Sequence, residues 1–156
     1  MTNYPIGEYF CKLDSGGRLM FPADFREQLG ELAEGEFVLR STGGSKFIEI
    51  YTEGDWRDVL QELGQKLNRF SREDNAFLRK FLVGVKKTRL DATNRMQIPK
   101  DMIQQKDLGK DVVITSLTAR MELWNRNDYN ETINAISEEE FENKMIEKLG
   151  NNSENK

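Results

Sequence analysis

The sequence predicts an α+β fold in which one β-hairpin motif occurs twice and helices flank both copies. Two observations lead to this prediction. The stretch KLDSGGRLMFPADF at residues 12–25 recurs as RLDATNRMQIPKDM at residues 89–102. Apolar residues also alternate with polar ones over short runs inside these copies, whereas they follow helical spacing between them. An internal repeat of this kind indicates a duplicated structural unit.

The repeat is well defined because identical residues recur at a constant offset of 77. The first copy contains Leu13, Asp14, Arg18, Pro22 and Asp24, and the second contains Leu90, Asp91, Arg95, Pro99 and Asp101. The correspondence resumes at an offset of 73, where residues 47–51 match residues 120–124. A longer turn at residues 41–44 explains the change, because loops absorb insertions at low cost.

Each copy is predicted to contain the same elements in the same order: strand, tight turn, short strand, short helix and hairpin. The predicted strands are residues 8–13, 18–21, 36–40 and 47–51 in the first copy and residues 87–90, 95–98, 111–115 and 121–124 in the second. Pro22 and Pro99 lie where the short helices begin, a position at which proline's missing N–H costs nothing. A further helix is expected to start near Asp55 or Asp128.

The predicted organisation is a duplicated domain over residues 1–137 followed by an acidic segment over residues 138–156. The domain divides into repeat one (about 8–62), a helical connector (about 55–85) and repeat two (about 87–137). The connector has an apolar stripe at helical spacing, and core packing is its expected role. The acidic segment predicts a helix over residues 137–149 and a frayed end over residues 151–156.

The residue types that the chain lacks exclude several function classes. With Cys11 as its one cysteine and no histidine, the chain cannot form an internal disulfide or a thiolate zinc cluster, and it lacks the commonest general base. We therefore expect no enzyme activity, no metal and no cofactor. No apolar run reaches the roughly 18 residues of a membrane helix, and no signal-peptide pattern is visible. We expect a cytoplasmic protein with no small-molecule substrate.

Charge is distributed unevenly along the chain, whose net charge is −4. Residues 66–100 contain ten basic and three acidic side chains, whereas residues 23–62 contain four basic and ten acidic ones. Residues 138–156 are again acidic, with six acidic side chains against three basic ones. Two interpretations are open: the chain presents one basic face although it is acidic as a whole, or these charges lie on ordinary solvated helix faces.

The pattern Asp-x-x-x-Arg spans a tight turn in both copies, at residues 14–18 and 91–95. Gly16 and Gly17 allow positive φ in the first turn, and Asn94 tolerates it in the second. Two interpretations stay open. The aspartate either closes the turn by pairing with the arginine, or the two turns lie together and present two guanidiniums to phosphate or to guanine edges.

Both segments resemble the MraZ family: GEYFCKLDSGGRLMFPADFREQL resembles the start of its members, and RLDATNRMQIPKDM resembles their second Asp-x-x-x-Arg segment. The similarity covers about residues 6–137. It implies an AbrB/MazE-like swapped-hairpin β-barrel made within one chain, with flanking helices. It also implies a nucleoid-associated, ring-like homo-oligomer that binds promoter repeats and represses the division and cell-wall gene cluster.

Carried over by position from the resemblance, the motif residues are Asp14, Arg18, Asp91 and Arg95. Gly16 stands where many members have a basic residue, so less phosphate contact is expected at the first turn. Asn94 replaces the usual glycine, so a different shape is expected for the second turn. The predicted DNA contacts are Arg18, Arg95, Lys86, Lys87 and Arg89, and the predicted turn-shaping residues are Asp14, Gly16, Gly17, Asp91 and Asn94.

Two other functions are weighed against DNA binding. A homo-oligomeric interaction scaffold would use the Asp–Arg pairs for structure only and would bind no DNA. A carboxylate-based hydrolase has no histidine, metal cluster or nucleophile elbow to support it. Salt-sensitive binding to DNA would distinguish the DNA-binding function from the scaffold function.

Overall fold

The computed structural model describes residues 4–41 and 43–150, and it confirms the mixed α+β class. The chain divides into two compact units, Met1–Arg126 and Asn127–Lys156. No helix in the described part of the chain is both long enough and apolar enough to cross a membrane. The longer turn expected at residues 41–44 includes Thr42, and the frayed end covers residues 151–156. Thr42 and residues 151–156 lie outside the described residues.

The strands and helices follow the duplicated order that the sequence predicts. The strands are β1 (Glu8–Lys12), β2 (Arg18–Met20), β3 (Glu36–Arg40), β4 (Phe47–Thr52), β5 (Lys86–Arg89), β6 (Arg95–Gln97), β7 (Asp111–Ser116) and β8 (Met121–Asn125). The helices are α1 (Ala23–Leu29), α2 (Glu53–Lys66), α3 (Arg72–Leu82), α4 (Lys100–Gln105), α5 (Arg126–Asn134) and α6 (Glu138–Met145). A 3-10 turn (Gly30–Glu34) follows α1, and a π-helical turn (Ile146–Gly150) follows α6.

Six strands form one antiparallel sheet in the order β1-β7-β8-β4-β3-β5. The predicted hairpins β3–β4 and β7–β8 are confirmed. Equivalent strands of the two repeats occupy mirrored places, and β4 pairs with β8 at the centre of the sheet. Glu49 pairs directly with Glu122 there, which is its equivalent in the second repeat. The two halves of the sheet are thus related by a pseudo-two-fold axis.

The two strands that flank each Asp-x-x-x-Arg turn do not form a regular ladder with each other. β2 pairs instead with β6, the equivalent strand of the other repeat, with Leu19 opposite Met96. Within each repeat only one bridge remains between the two strands, Leu13 to Leu19 and Leu90 to Met96. The exchange is favourable because it leaves both Leu19 and Met96 fully buried.

The main core lies between this strand pair and the six-stranded sheet. Alternate residues of the strands point into it, as the two-residue period requires. Helices α1 and α4 close its ends with Phe25, Leu29 and Met102, which are all buried. Pro22 and Pro99 immediately precede these two helices, as predicted.

The helical connector packs on the opposite face of the sheet. Val38 and Tyr51 project from that face, and Trp56 of α2 packs against them. Val59, Leu60, Phe81, Leu82 and Val85 complete this smaller cluster. The core-packing role predicted for the connector is thereby confirmed, although none of the α3 side chains is fully buried.

The second unit is helical and exposed. Ser137 caps α6 by accepting a hydrogen bond from the Glu140 amide. The predicted helix over residues 137–149 corresponds to α6 and the π-helical turn that follows it. From Asn127 to Gly150 no described residue is buried.

Candidate functional site

The first Asp-x-x-x-Arg turn is closed by the carboxylate of Asp14. Its Oδ1 atom accepts hydrogen bonds from the amides of Gly16 and Arg18, both at 2.9 Å. The Arg18 guanidinium Nε donates to Asp14 Oδ2 at 3.1 Å. The Gly17 amide also donates to the Asp14 carbonyl at 3.0 Å, which completes a β-turn. The aspartate therefore both shapes the turn and holds its arginine.

The second turn repeats this backbone pattern. Asp91 Oδ1 accepts from the amides of Thr93 at 2.9 Å and Arg95 at 3.0 Å. The Asn94 amide donates to the Asp91 carbonyl at 2.9 Å, as the Gly17 amide does to Asp14. One difference is that Asp91 also accepts a hydrogen bond from the Thr93 hydroxyl at 2.8 Å.

One residue in each turn has a positive φ, and its identity corrects two expectations: that Gly16 also adopts positive φ, and that Asn94 gives the second turn a different shape. Positive φ occurs at Gly17 (80°) and at Asn94 (63°), which are equivalent residues, and not at Gly16. The substitution of asparagine for glycine therefore leaves the second turn with the same shape as the first. Asparagine is among the few residues that adopt this conformation without large strain.

The two turns lie side by side because of the exchanged strands. The Phe21 amide donates to the Asn94 carbonyl at 3.1 Å, and the Ile98 amide donates to the Gly17 carbonyl at 2.8 Å. These are equivalent bonds in the two repeats. The Gln97 side-chain amide also reaches the Gly16 carbonyl at 2.8 Å. Each turn is thus held by the repeat to which it does not belong.

This packing brings the two motif arginines to one carboxylate. Asp14 Oδ2 lies 3.1 Å from Arg18 Nε and 3.6 Å from Arg95 Nη1. The two arginine side chains stay 47% and 39% exposed, respectively. Two adjacent, oriented guanidiniums at the surface form a site that can bind phosphate oxygens or base edges.

Hydrogen bonding keeps both aspartates ionised. The pKa of Asp14 lies below its ordinary value, chiefly because the Arg18 amide donates to the carboxylate and also because the Arg18 charge is close. The pKa of Asp91 is lowered mainly by the hydrogen bond from the Arg95 amide, and the Arg18 charge contributes as well. Arg18 therefore acts on the aspartates of both turns.

The basic residues before the second motif are not part of this arginine pair. Lys87 Nζ lies 3.3 Å from Glu36 Oε1, and Arg89 Nη1 donates to the Glu34 carbonyl at 3.2 Å. Arg57 has the largest effect in lowering the pKa of Glu53, and the charges of Lys87 and Arg89 lower it further. Lys86 is exposed on the same strand. Lys87 and Arg89 thus have partners on the first repeat. Of the three residues, Lys86 is therefore the most available to contact an anionic ligand.

Two lysines near the first turn are not among the predicted DNA contacts. Lys100 and Lys110 line a cleft of about 760 Å³ that runs along Gly16 and Gly17. A corresponding cleft of about 380 Å³ lies beside the second turn and contains Arg26, Glu27 and Glu34. A comparison of the charges at equivalent positions of the two repeats would have drawn attention to these lysines.

In residues 4–41 and 43–150, no group of three or more Asp, Glu, Cys or His side chains converges in a way that could hold a metal ion.

The family model and the similar proteins found by comparison all carry the same family name. A family model described as "MraZ protein, putative antitoxin-like" matches the chain twice, over residues 6–80 and 81–152. The Transcriptional regulator MraZ of Christiangramia forsetii is 34% identical over 146 residues, which cover 94% of this chain and 93% of the relative. The protein of the same name from Flavobacterium psychrophilum is 37% identical over 131 residues, with 84% and 83% covered. That of Clostridium tetani is 34% identical over 143 residues, with 91% and 96% covered.

Proposed function

This chain belongs to the MraZ family, and on that premise we propose that it is a sequence-specific DNA-binding transcriptional regulator. It represses the division and cell-wall gene cluster that includes its own gene, and it acts as a homo-oligomer on tandem promoter repeats. It works in the cytoplasm, in association with the nucleoid. The observation that supports this function best is the arginine pair beside Asp14, at 3.1 Å and 3.6 Å.

The arginine pair suits DNA for two physical reasons. Each guanidinium has a planar fork that contacts phosphate, or the O6 and N7 atoms of guanine, through two hydrogen bonds. The side chains are also oriented in advance, because the carboxylate of Asp14 holds Arg18 and lies next to Arg95. Less side-chain freedom is lost on binding when a contact group is already positioned.

The proposed barrel is supported by the way in which the strand pair β2–β6 joins the sheet. One bridge links β2 to the end of β1, and another links β6 to the end of β5. Strands β1 and β5 are the two edges of the six-stranded sheet. We propose that these bridges complete an AbrB-like swapped-hairpin barrel, with the two turns at one end of it.

Oligomerisation explains how a chain of net charge −4 binds an anionic polymer. One site with a few phosphate contacts binds weakly, but several linked sites on repeated DNA elements gain through effective concentration. Light scattering in moderate salt should give a mass several times that of one chain. A single monomeric species at all micromolar concentrations contradicts this part of the proposal.

The test is a fluorescence anisotropy titration on the gene's own upstream DNA and on scrambled DNA at several salt concentrations. Arg18→Ala and Arg95→Ala should each cost about 1 to 3 kcal/mol of binding free energy at every engaged site. The double variant Arg57→Ala, Arg79→Ala removes two arginines from the connector helices and serves as the matched control. It should bind as the parent does.

A second variant separates base readout from charge. Arg18→Lys with Arg95→Lys keeps both charges but removes the two-pronged contact. We expect this variant to lose its preference for the upstream DNA while the salt dependence of its binding stays close to that of the parent. If the double variant Arg18→Ala, Arg95→Ala binds the upstream DNA as the parent does, the Asp–Arg pairs serve only to close the turns, and the scaffold function is favoured.

A further inference from the structure

We infer that the cleft beside the first turn binds the sugar-phosphate backbone of one DNA strand, with Lys100 and Lys110 as its phosphate contacts. This inference rests on the proposed DNA-binding function and assigns it a second, one-sided contact surface. We call this surface the lysine cleft and define it by Gly16, Gly17, Lys100 and Lys110.

The position of the lysine cleft is the first argument. Asp14, which lies beside both motif arginines, forms part of its wall together with Gly16 and Gly17. A DNA strand whose bases or phosphates meet the arginine pair therefore runs past this cleft. The cleft is open to solvent and has a volume of about 760 Å³.

The charge of the lysine cleft is the second argument. Lys100 and Lys110 are both exposed, and their long side chains carry ammonium groups that bind phosphate as point charges. Asp14 is the acidic residue in its lining, and that carboxylate already bonds to Arg18. An anion in the cleft therefore meets a net positive charge.

The third argument is that the corresponding cleft beside the second turn lacks these positive charges. Ala23 occupies the position of Lys100, at the offset of 77 residues that relates the two copies. Gly35 occupies the position of Lys110, since Gly35 immediately precedes β3 and Lys110 immediately precedes β7. The second cleft contains Glu27 and Glu34 against Arg26. Two carboxylates repel phosphate, so the DNA backbone is held on one side of the arginine pair only.

One-sided contact has a consequence that does not follow from the duplicated motif. The two turns have nearly the same backbone geometry and by themselves offer DNA two similar orientations. A lysine pair on one flank makes these orientations unequal, so that each chain binds DNA with a defined direction. Phosphate contacts position a protein on DNA without reading its sequence, and here they set its polarity.

The experiment is a titration of the double variant Lys100→Gln, Lys110→Gln on upstream and scrambled DNA across a range of salt concentrations. Binding to both DNAs should weaken by the same factor. The slope of log K against log salt should decrease by about 1.8, because each lost phosphate contact contributes about 0.9. The matched control is Lys66→Gln with Lys80→Gln, which removes the same charge from the connector helices on the opposite face of the sheet. Its slope should equal that of the parent.

A third double variant tests the one-sided geometry. Glu27→Gln with Glu34→Gln removes the two negative charges from the cleft beside the second turn and should leave the salt slope unchanged. Circular dichroism and light scattering should show all three variants folded and of parental size, because the substituted residues lie at the surface.

The outcomes distinguish this inference from the proposed function. If the Lys100, Lys110 variant titrates as the parent does while the arginine double variant loses binding, the lysine cleft is not a DNA contact and the proposed function stands. The same conclusion holds if the lysine control has an equal effect. If the parent shows no salt-dependent binding to any DNA, the proposed function fails and the inference fails with it.

Discussion

Glu49 and Glu122 are buried and lie directly opposite each other on β4 and β8, at equivalent positions of the two repeats. Like charges at such positions destabilise a sheet. Two arginines compensate for them. Arg120 Nη2 lies 2.7 Å from Glu122 Oε2 and its Nε lies 3.7 Å from Glu49 Oε2, while Arg40 Nη1 lies 2.9 Å from Glu49 Oε1. The centre of the sheet is therefore held by a balanced group of four charges.

Removing one arginine from this group should be costly. Arg120→Leu leaves the two carboxylates facing each other with one cation, and breaking a buried ion pair costs about 3 to 5 kcal/mol of unfolding free energy. Urea denaturation measures the change. Arg57→Leu is the matched control, because its pair with Glu53 is exposed and contributes at most about 1 kcal/mol. Equal losses of unfolding free energy in the two variants would show that the central ion pair contributes no more to stability than the exposed one.

The two glycines of the first turn should respond differently to alanine. At Gly17, φ is +80°, and an added Cβ would lie 3.1 Å from the Ile98 carbonyl oxygen. Gly17→Ala should therefore lower the unfolding free energy by about 1 to 3 kcal/mol. Gly16→Ala should have little effect, since its nearest contact would be at 3.4 Å. Thermal unfolding of both variants checks the turn geometry, which is wrong if Gly16→Ala is the more damaging change.

The turn aspartates should make the stability depend on pH in the acidic range. The folded state lowers the pKa of both Asp14 and Asp91. Their contribution is thus complete above the unfolded pKa of about 4 and is lost as pH falls through the lower folded-state values. Asp14→Asn with Asp91→Asn should be less stable than the parent at pH 7. This difference should shrink below about pH 3. Thermal unfolding between pH 2 and pH 7 measures it, and a constant difference would show that the carboxylate charge is irrelevant.

The acidic C-terminal segment should be dispensable for folding. The side chains of Phe141, Met145 and Leu149 are 51%, 41% and 66% exposed, and they belong to neither hydrophobic cluster. A chain that ends at Asn134 should unfold within a few degrees of the parent. Differential scanning calorimetry tests this, and failure of the shortened chain to fold would place α6 in a stabilising interface. Its affinity for DNA should not fall, because the segment repels phosphate.

The strand positions could be predicted because two copies of the motif constrain one another. The apolar pattern alone does not predict the pairing of β2 with β6, because the alternation of Leu19 with exposed neighbours fits a local hairpin as well as an exchanged one. The choice depends on packing between residues that are far apart in sequence. Burying Leu19 against Met96 satisfies both repeats at once.

In the candidate site, too, some features follow from the local sequence and others depend on contacts between residues far apart in the chain. The duplication of Asp14 and Arg18 predicts that the two turns lie close together, and the 3.6 Å approach of Arg95 to Asp14 agrees with this. The partners of Lys87 and Arg89 depend on the pairing of β5 with β3, which brings Glu36 opposite Arg89. Local sequence carries no information about that neighbour.

The covalent joining of the two halves has an evolutionary consequence. In a dimer of identical chains, a substitution in a recognition turn occurs at both turns together. Here each turn is encoded separately, and the two have already diverged: Asp14 pairs with Arg18, whereas Asp91 accepts a hydrogen bond from the Thr93 hydroxyl. A single substitution can therefore alter one contact surface and leave the other intact. Under the proposed DNA-binding function, selection can adapt the two turns to unlike half-sites independently.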